Sequence, residues 1–107
     1  RLWLLSPRGA IASLIAGHEL AGAAFGASRT VNLPGLSVSV GEMIAALEQV
    51  AGSEVTARIS YAPDPAIERI VRSWPGAWDT ARAEALGLTA DADVAAIIRA
   101  YMDDVKA

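Results

Sequence analysis

Few residues in this chain could run a reaction, and their spacing argues against most reactions. There is no cysteine and one histidine in 107 residues, which excludes disulfides, thiolate nucleophiles, thiolate metal sites and His-rich metal sites. His18 falls on an apolar helical stripe, where a packed or rim histidine is the plain alternative to a general base. Two acid pairs, Asp91/Asp93 and Asp103/Asp104, have the residue types for hydrolysis. Helix capping accounts for the first and a solvated helix end for the second. Neither tyrosine has a lysine four residues on, since Pro65 follows Tyr61 and Val105 follows Tyr101 at that distance. No Walker loop, nucleophile elbow or HExxH is present, and the glycines at 17, 22 and 26 follow a helical stripe instead of joining a strand to a helix. That placement cannot cradle a pyrophosphate, which needs backbone amides at a helix start.

The elements that would position any site are clearer. Leu2 to Leu5 reads as an extended segment. Ser6 and Pro7 open a helix, Ser6 as cap and Pro7 where a missing N–H costs nothing, with Ile11, Leu14, Ile15 and His18 at helical spacing. Leu20 to Ser28 reads as an irregular turn and loop. Thr30 to Leu33 is β-prone and ends at Pro34-Gly35. Ser39 and Glu42 make a capping box for a helix whose stripe is Val40, Met43, Ile44, Leu47 and Val50, with Gly52 as its stop. Val55, Ala57, Ile59 and Tyr61 alternate with polar residues and predict a strand. Pro63-Asp64-Pro65 turns the chain into a short helix through Ile67, Ile70, Val71 and Trp74, stopped by Pro75-Gly76. Asp79 caps a helix running to Leu86, and Asp91 or Asp93 caps a last one carrying Val94, Ile97, Ile98, Tyr101, Met102 and Val105. The order is strand, helix, strand, helix, strand and three helices in one α/β unit over residues 1–107.

Bulk composition narrows the partners. The net charge is −3 and the pI about 5.0, with Lys and Arg scattered, so nucleic acid is not an expected partner. Counted with Gly and without Tyr, about 60% of residues are apolar, against roughly 45–50% in ordinary domains. The most apolar run, Ala10 to Phe25, contains His18, Glu19 and two glycines and falls short of the ~20 residues a membrane span needs. No membrane association and no leader is expected, and the expected location is the cytoplasm. The length suffices for a core of its own. Alanine explains part of the apolar excess, and a surface covered by another body explains the rest. Arg1 at the first position suggests a chain that starts mid-protein.

Three stretches in order carry a resemblance. They are Val31-Asn32-Leu33-Pro34-Gly35 leading to Ser39-Val40-Gly41-Glu42-Met43, then Ile59-Ser60-Tyr61, then Asp79 to Gly87 with Asp79, Arg82, Leu86 and Gly87 at the spacing Asp-x-x-[KR]-x-x-x-Leu-Gly. They resemble the C-terminal part of extended short-chain dehydrogenases of the NAD-dependent epimerase/dehydratase group. More narrowly, Ser6-Pro7-Arg8, Asn32 to Val38 and Ser73-Trp74-Pro75 resemble the branch that oxidises D-erythronate, a four-carbon sugar acid, with NAD.

The resemblance implies a small substrate-binding C-terminal portion, mostly helical with two or three short strands, of a protein roughly three times as long. Its own N-terminal nucleotide-binding domain would be its partner and would hold the NAD or NADP, so no catalytic, cofactor or metal residue is expected in this chain, and the chain alone is expected to be inactive. A homodimer is a further form open to it. Substrate would lie between the two portions. The implied contacts are Arg8, whose guanidinium can hold a carboxylate or phosphate by two parallel bonds, Ser6 with the amides at the helix start, and Arg72 and Trp74. A surface role for Arg8, a packing role for Trp74 and Arg69 in place of Arg72 are the alternatives. Rival functions are the C-terminal part of a nucleoside-diphosphate-sugar epimerase or dehydratase, with Arg8 and Arg72 on a diphosphate, and a non-catalytic interaction domain. An acidic carrier protein lacks the Asp-Ser-Leu attachment site it would need.

Overall fold

The computed structural model describes residues 1–106. A strand β1 (Leu2–Leu4) runs antiparallel to β2 (Leu36–Val38), with Leu2 opposite Val38, Trp3 opposite Ser37 and Leu4 opposite Leu36. This ribbon is the whole sheet among the described residues. Around it lie α1 (Pro7–Glu19), a 3-10 turn (Gly22–Phe25), α2 (Val40–Ala51), α3 (Ser53–Thr56), α4 (Pro65–Arg72), α5 (Ala81–Ala85) and α6 (Val94–Lys106). The expected mostly helical α/β fold is what the chain adopts.

The helix starts follow the capping residues. Ser6 Oγ accepts the Gly9 N–H at 3.0 Å. Ser39 and Glu42 form the reciprocal capping box at 3.1 and 3.0 Å, and the Ser39 N–H, its largest cause, holds the Glu42 carboxyl below the usual carboxylate range. Asp64 caps α4 through the Ala66 and Ile67 amides. Asp93, not Asp91, caps α6 by accepting the Ala96 N–H at 2.7 Å. Gly52 and Gly87, at φ +89° and +88°, end α2 and α5 in the region that glycine alone enters without strain.

Two expected strands do not form. Residues 55–61 alternate in polarity, yet the Ala57, Arg58 and Ile59 amides donate to the Ser53, Val55 and Thr56 carbonyls. Those local bonds satisfy the backbone without a neighbouring strand, and a seven-residue alternation cannot outweigh them. Thr30 to Leu33 also lies outside the sheet. Its carbonyls are taken by side chains: Leu33 O accepts from the Trp3 indole at 3.2 Å and Thr30 O from Arg82 at 3.2 Å. The strand begins after Gly35 instead. A Cβ there would stand 2.7 Å from both Leu4 O and Trp3 Nε1, so only glycine lets the two chains meet.

The expected core is thin. Val38, Ala83, Leu88 and Ala95 are the buried hydrophobic residues, and Ser6, Ser13 and Thr80 the buried polar ones. The α2 stripe faces α6 as its spacing requires, but Met43, Ile44, Leu47, Val94, Ile97 and Ile98 stay half-buried around an apolar hollow of about 420 Å³ that Leu4 and Ile59 also line. Helix α1 is turned over relative to its apolar stripe. It buries Ser13, half-buries Gly9, Ala16 and Gly17, and leaves Ile11, Leu14 and Ile15 between 54% and 70% exposed.

Candidate functional site

The site is built where β1 gives way to α1. Ser6 is the turning point, and it is 1% exposed. Its N–H and its hydroxyl both donate to the Asp91 carboxylate, at 2.8 and 2.7 Å, while the hydroxyl oxygen accepts from Gly9 N. Ser6 thus has no face toward solvent from which to touch a ligand. It ties the start of α1 to the loop before α6. The same bonds use up most of the helix end expected to greet an anion. Ser6 N goes to Asp91, Pro7 has no N–H and Gly9 N goes to Ser6, so three of those four positions offer nothing further.

Arg8 stands one step along the first turn of α1 and lines a cavity of about 400 Å³ with Gly9, Ser13, Leu88, Thr89 and Asp91. The opposite wall is the stretch from Gly87 to Asp91, which follows the glycine stop of α5. The small residues on the inward face of α1 leave this space open: Gly9, Ala12, Ser13 and Ala16 line it where longer side chains would fill it. The Arg8 guanidinium is half-exposed and pairs with Asp104 on α6, Nε at 3.1 Å and Nη2 at 2.5 Å from one carboxylate oxygen. The hydrogen bond to Asp104 and then its charge, with a lesser contribution from Asp103, hold the guanidinium still more firmly protonated. Chemically the cavity pairs one cation with one buried-side acid. Asp91 has both oxygens engaged by Ser6 but keeps lone pairs for hydroxyl donors, and Thr89 adds a hydroxyl.

Arg72 and Trp74 are not brought to this cavity. Arg72 lies on α4 with its side chain 82% exposed and makes a 3.8 Å contact with Glu68 one turn earlier. With Pro65, Glu68 and Arg69 it lines a separate depression, so both registers considered for that arginine share one surface. Trp74 is 54% exposed at the end of α4. His18 is exposed near the end of α1. The two acid pairs are each split by the fold: Asp93 caps while Asp91 locks Ser6, and Asp104 holds Arg8.

Sequence reasoning missed three residues that shape this region. Asp91 was visible only as a candidate cap of the last helix and Asp104 only as an acid at a solvated helix end, because their partners lie 85 and 96 positions away. Arg82 carried a motif but no role. Its guanidinium donates to the carbonyls of Phe25, Ser28 and Thr30, holding the loop after α1 onto α5. The described residues do not form a dinucleotide cradle. β1 leads into Ser6-Pro7-Arg8-Gly9, with a proline where an amide is needed and the Ser6 and Gly9 amides already engaged. Among the described residues no group of His, Cys, Asp or Glu is arranged to hold a metal ion, and no helix is long and apolar enough to cross a membrane.

No family model matches the chain. Over 103 residues, 96% of the chain, it is 52% identical to the D-erythronate dehydrogenase of Cupriavidus necator and 36% identical to that of Haemophilus influenzae. The matches span 32% and 33% of those proteins. The crystal structure of a nucleoside-diphosphate-sugar epimerase from Agrobacterium tumefaciens superposes with a TM-score of 0.91 at 37% identity, over 95% of this chain and 30% of that one. The chain therefore spans about a third of the length of the relatives it matches. The resemblance read from the ordered motifs is borne out, as is the fold expected of a small C-terminal portion of such an enzyme.

Proposed function

We propose that this chain, kin to D-erythronate dehydrogenases of the extended short-chain dehydrogenase group, is the substrate-binding portion of an NAD(P)-dependent oxidoreductase acting on a sugar acid such as D-erythronate. Residues 1–107 form its C-terminal domain. The nucleotide and the acid-base groups belong to an N-terminal domain that closes over the exposed side of this one, in the cytoplasm, with a small molecule as the other partner. The observation that carries the reading is the 52% identity along 96% of the chain. The cavity at Arg8 suits it. A sugar acid brings a carboxylate for the guanidinium, which can grip it through two parallel hydrogen bonds, and hydroxyl donors for Asp91 and Thr89. Ser6 acts by fixing the helix that carries Arg8, and Arg72 and Trp74 would reach substrate only from the α4 side as the second domain closes.

The test is turnover of D-erythronate with NAD or NADP by the protein that carries this chain, wild type against Arg8→Ala. Loss of a charge-assisted pair worth about 1.5–3 kcal/mol predicts a KM for the acid raised roughly 10- to 100-fold with the KM for nucleotide unmoved. Unchanged KM removes Arg8 from the site. A second reading, the C-terminal part of a nucleoside-diphosphate-sugar epimerase, is favoured by the superposition on such an enzyme. It would place a diphosphate on Arg8, with Arg72 on a different surface and out of its reach within this chain. Conversion of UDP-sugars without turnover of D-erythronate would decide for it.

A further inference from the structure

We propose that Asp104 is a resident counter-ion for Arg8, occupying one of the edges of the guanidinium that an incoming carboxylate can take, and so sets the affinity of the site for small acids. The inference rests on the reading of Arg8 as a substrate contact.

Three features of the geometry carry it. The first is which edge is occupied. Asp104 draws both Nε and Nη2 onto its single Oδ1 atom, at 3.1 and 2.5 Å, and this side-on edge is one of those a carboxylate uses for two parallel bonds. The second is position. Arg8 lines the 400 Å³ cavity and Asp104 does not, so the acid holds the guanidinium from the α6 side, at the rim. A ligand in the cavity that takes the Nε–Nη2 edge has to displace Asp104 from it. The third is strength. Both side chains are about half exposed, 53% and 49%, and exposed pairs of this kind shift an equilibrium only about two- to fivefold. That is weak enough to be exchanged at each binding event.

The second acid of the cavity behaves differently. Asp91 is tied by Ser6 through both of its oxygens, so it stays in place when a ligand arrives and opposes any anion not matched by Arg8. Freeing Arg8 from Asp104 therefore changes the balance seen by an acid, with Asp91 as a fixed background. Asp103, the neighbouring carboxylate that also acts on Arg8, remains in the variant and serves as an internal control for general charge.

The experiment uses the protein that carries this chain, with D-erythronate as probe, and compares Asp104→Asn, Asp103→Asn and Arg8→Ala. Asp104→Asn is expected to lower the KM for the acid about two- to fivefold and leave the KM for nucleotide where it was, with Asp103→Asn producing a smaller fall. A purely structural tie between α1 and α6 would instead raise KM or leave it unchanged as the melting temperature drops, and either result overturns the proposal. If Arg8→Ala raises KM while Asp104→Asn does not lower it, the counter-ion role alone fails. If Arg8→Ala leaves KM unmoved, or D-erythronate is not turned over at all, the underlying reading fails and this proposal falls with it.

Discussion

At the scale of single residues, the most deeply buried polar side chain of the chain, Ser6, sits in one knot. Ser6, Gly9 and Asp91 satisfy one another at the point where strand becomes helix, and every buried side-chain polar atom among the described residues has a partner. Removing the carboxylate would strand an N–H and a hydroxyl on a residue that is 1% exposed, and each orphaned group costs about 1–3 kcal/mol. Asp91→Ala is thus expected to lower unfolding stability by about 2–3 kcal/mol in urea melts. Asp91→Asn keeps one acceptor and should lose less. Equal losses in both would mean that charge, not hydrogen bonding, holds the junction. The knot was partly legible. Ser6 and Pro7 announce a helix start by type alone, but Asp91 looked like one of two equivalent caps for α6, and only folding brings it to Ser6.

At the scale of elements, the turn and cap residues did what their chemistry dictates, and the alternating pattern did not. α2 begins at its capping box and ends at Gly52, and α4 begins at Asp64, because those signals act within one turn of the backbone. A strand has no such self-sufficiency: the pairing that makes it is supplied by another segment. Residues 55–61 find no such segment, while β2 finds β1 through Gly35. That close approach makes a direct prediction. Gly35→Ala places a methyl 2.7 Å from the Leu4 carbonyl and the Trp3 indole nitrogen, contacts that backbone and a bonded ring cannot yield cheaply. The variant should lose about 1–3 kcal/mol by overpacking and show a changed near-ultraviolet signal from Trp3. An unaltered spectrum with unaltered stability would mean the ribbon opens there without cost.

At the scale of the whole molecule, shape explains the composition. The radius of gyration is 16.6 Å, where a compact domain of this length has about 13 Å. The body measures 50 × 37 × 18 Å, and 18 Å leaves room for no more than two packed layers of helix, each about 10 Å across. A slab that thin cannot cover both faces of its elements, so the apolar excess goes outward: Ile11, Leu14, Ile15, Ile67, Ile70, Trp74, Trp78 and Tyr101 are all between 47% and 70% exposed. Residues 1–107 alone are expected to self-associate in light scattering. Leu14→Glu with Ile15→Glu should disperse them with stability changed by no more than about 0.5 kcal/mol, the usual range for surface positions. A large loss of stability would show that these side chains pack within the chain after all.

The sequence by itself determined what depends on neighbours a few residues apart: the helix starts and stops, the lack of a nucleotide-binding turn and of a Tyr-Lys pair, and the ordered motifs that tie the chain to its relatives. Tertiary structure decided what depends on distant segments meeting. It chose Asp93 over Asp91 as the cap of α6, gave Asp91 to Ser6 and Asp104 to Arg8, put Arg72 on a different surface from Arg8, and turned the apolar stripe of α1 away from the chain's own interior. The physical reason is the same in each case. Capping and turn energies are local and read directly from residue order, whereas the partner of a carboxylate or of an apolar face is fixed by which surfaces the folded chain brings together.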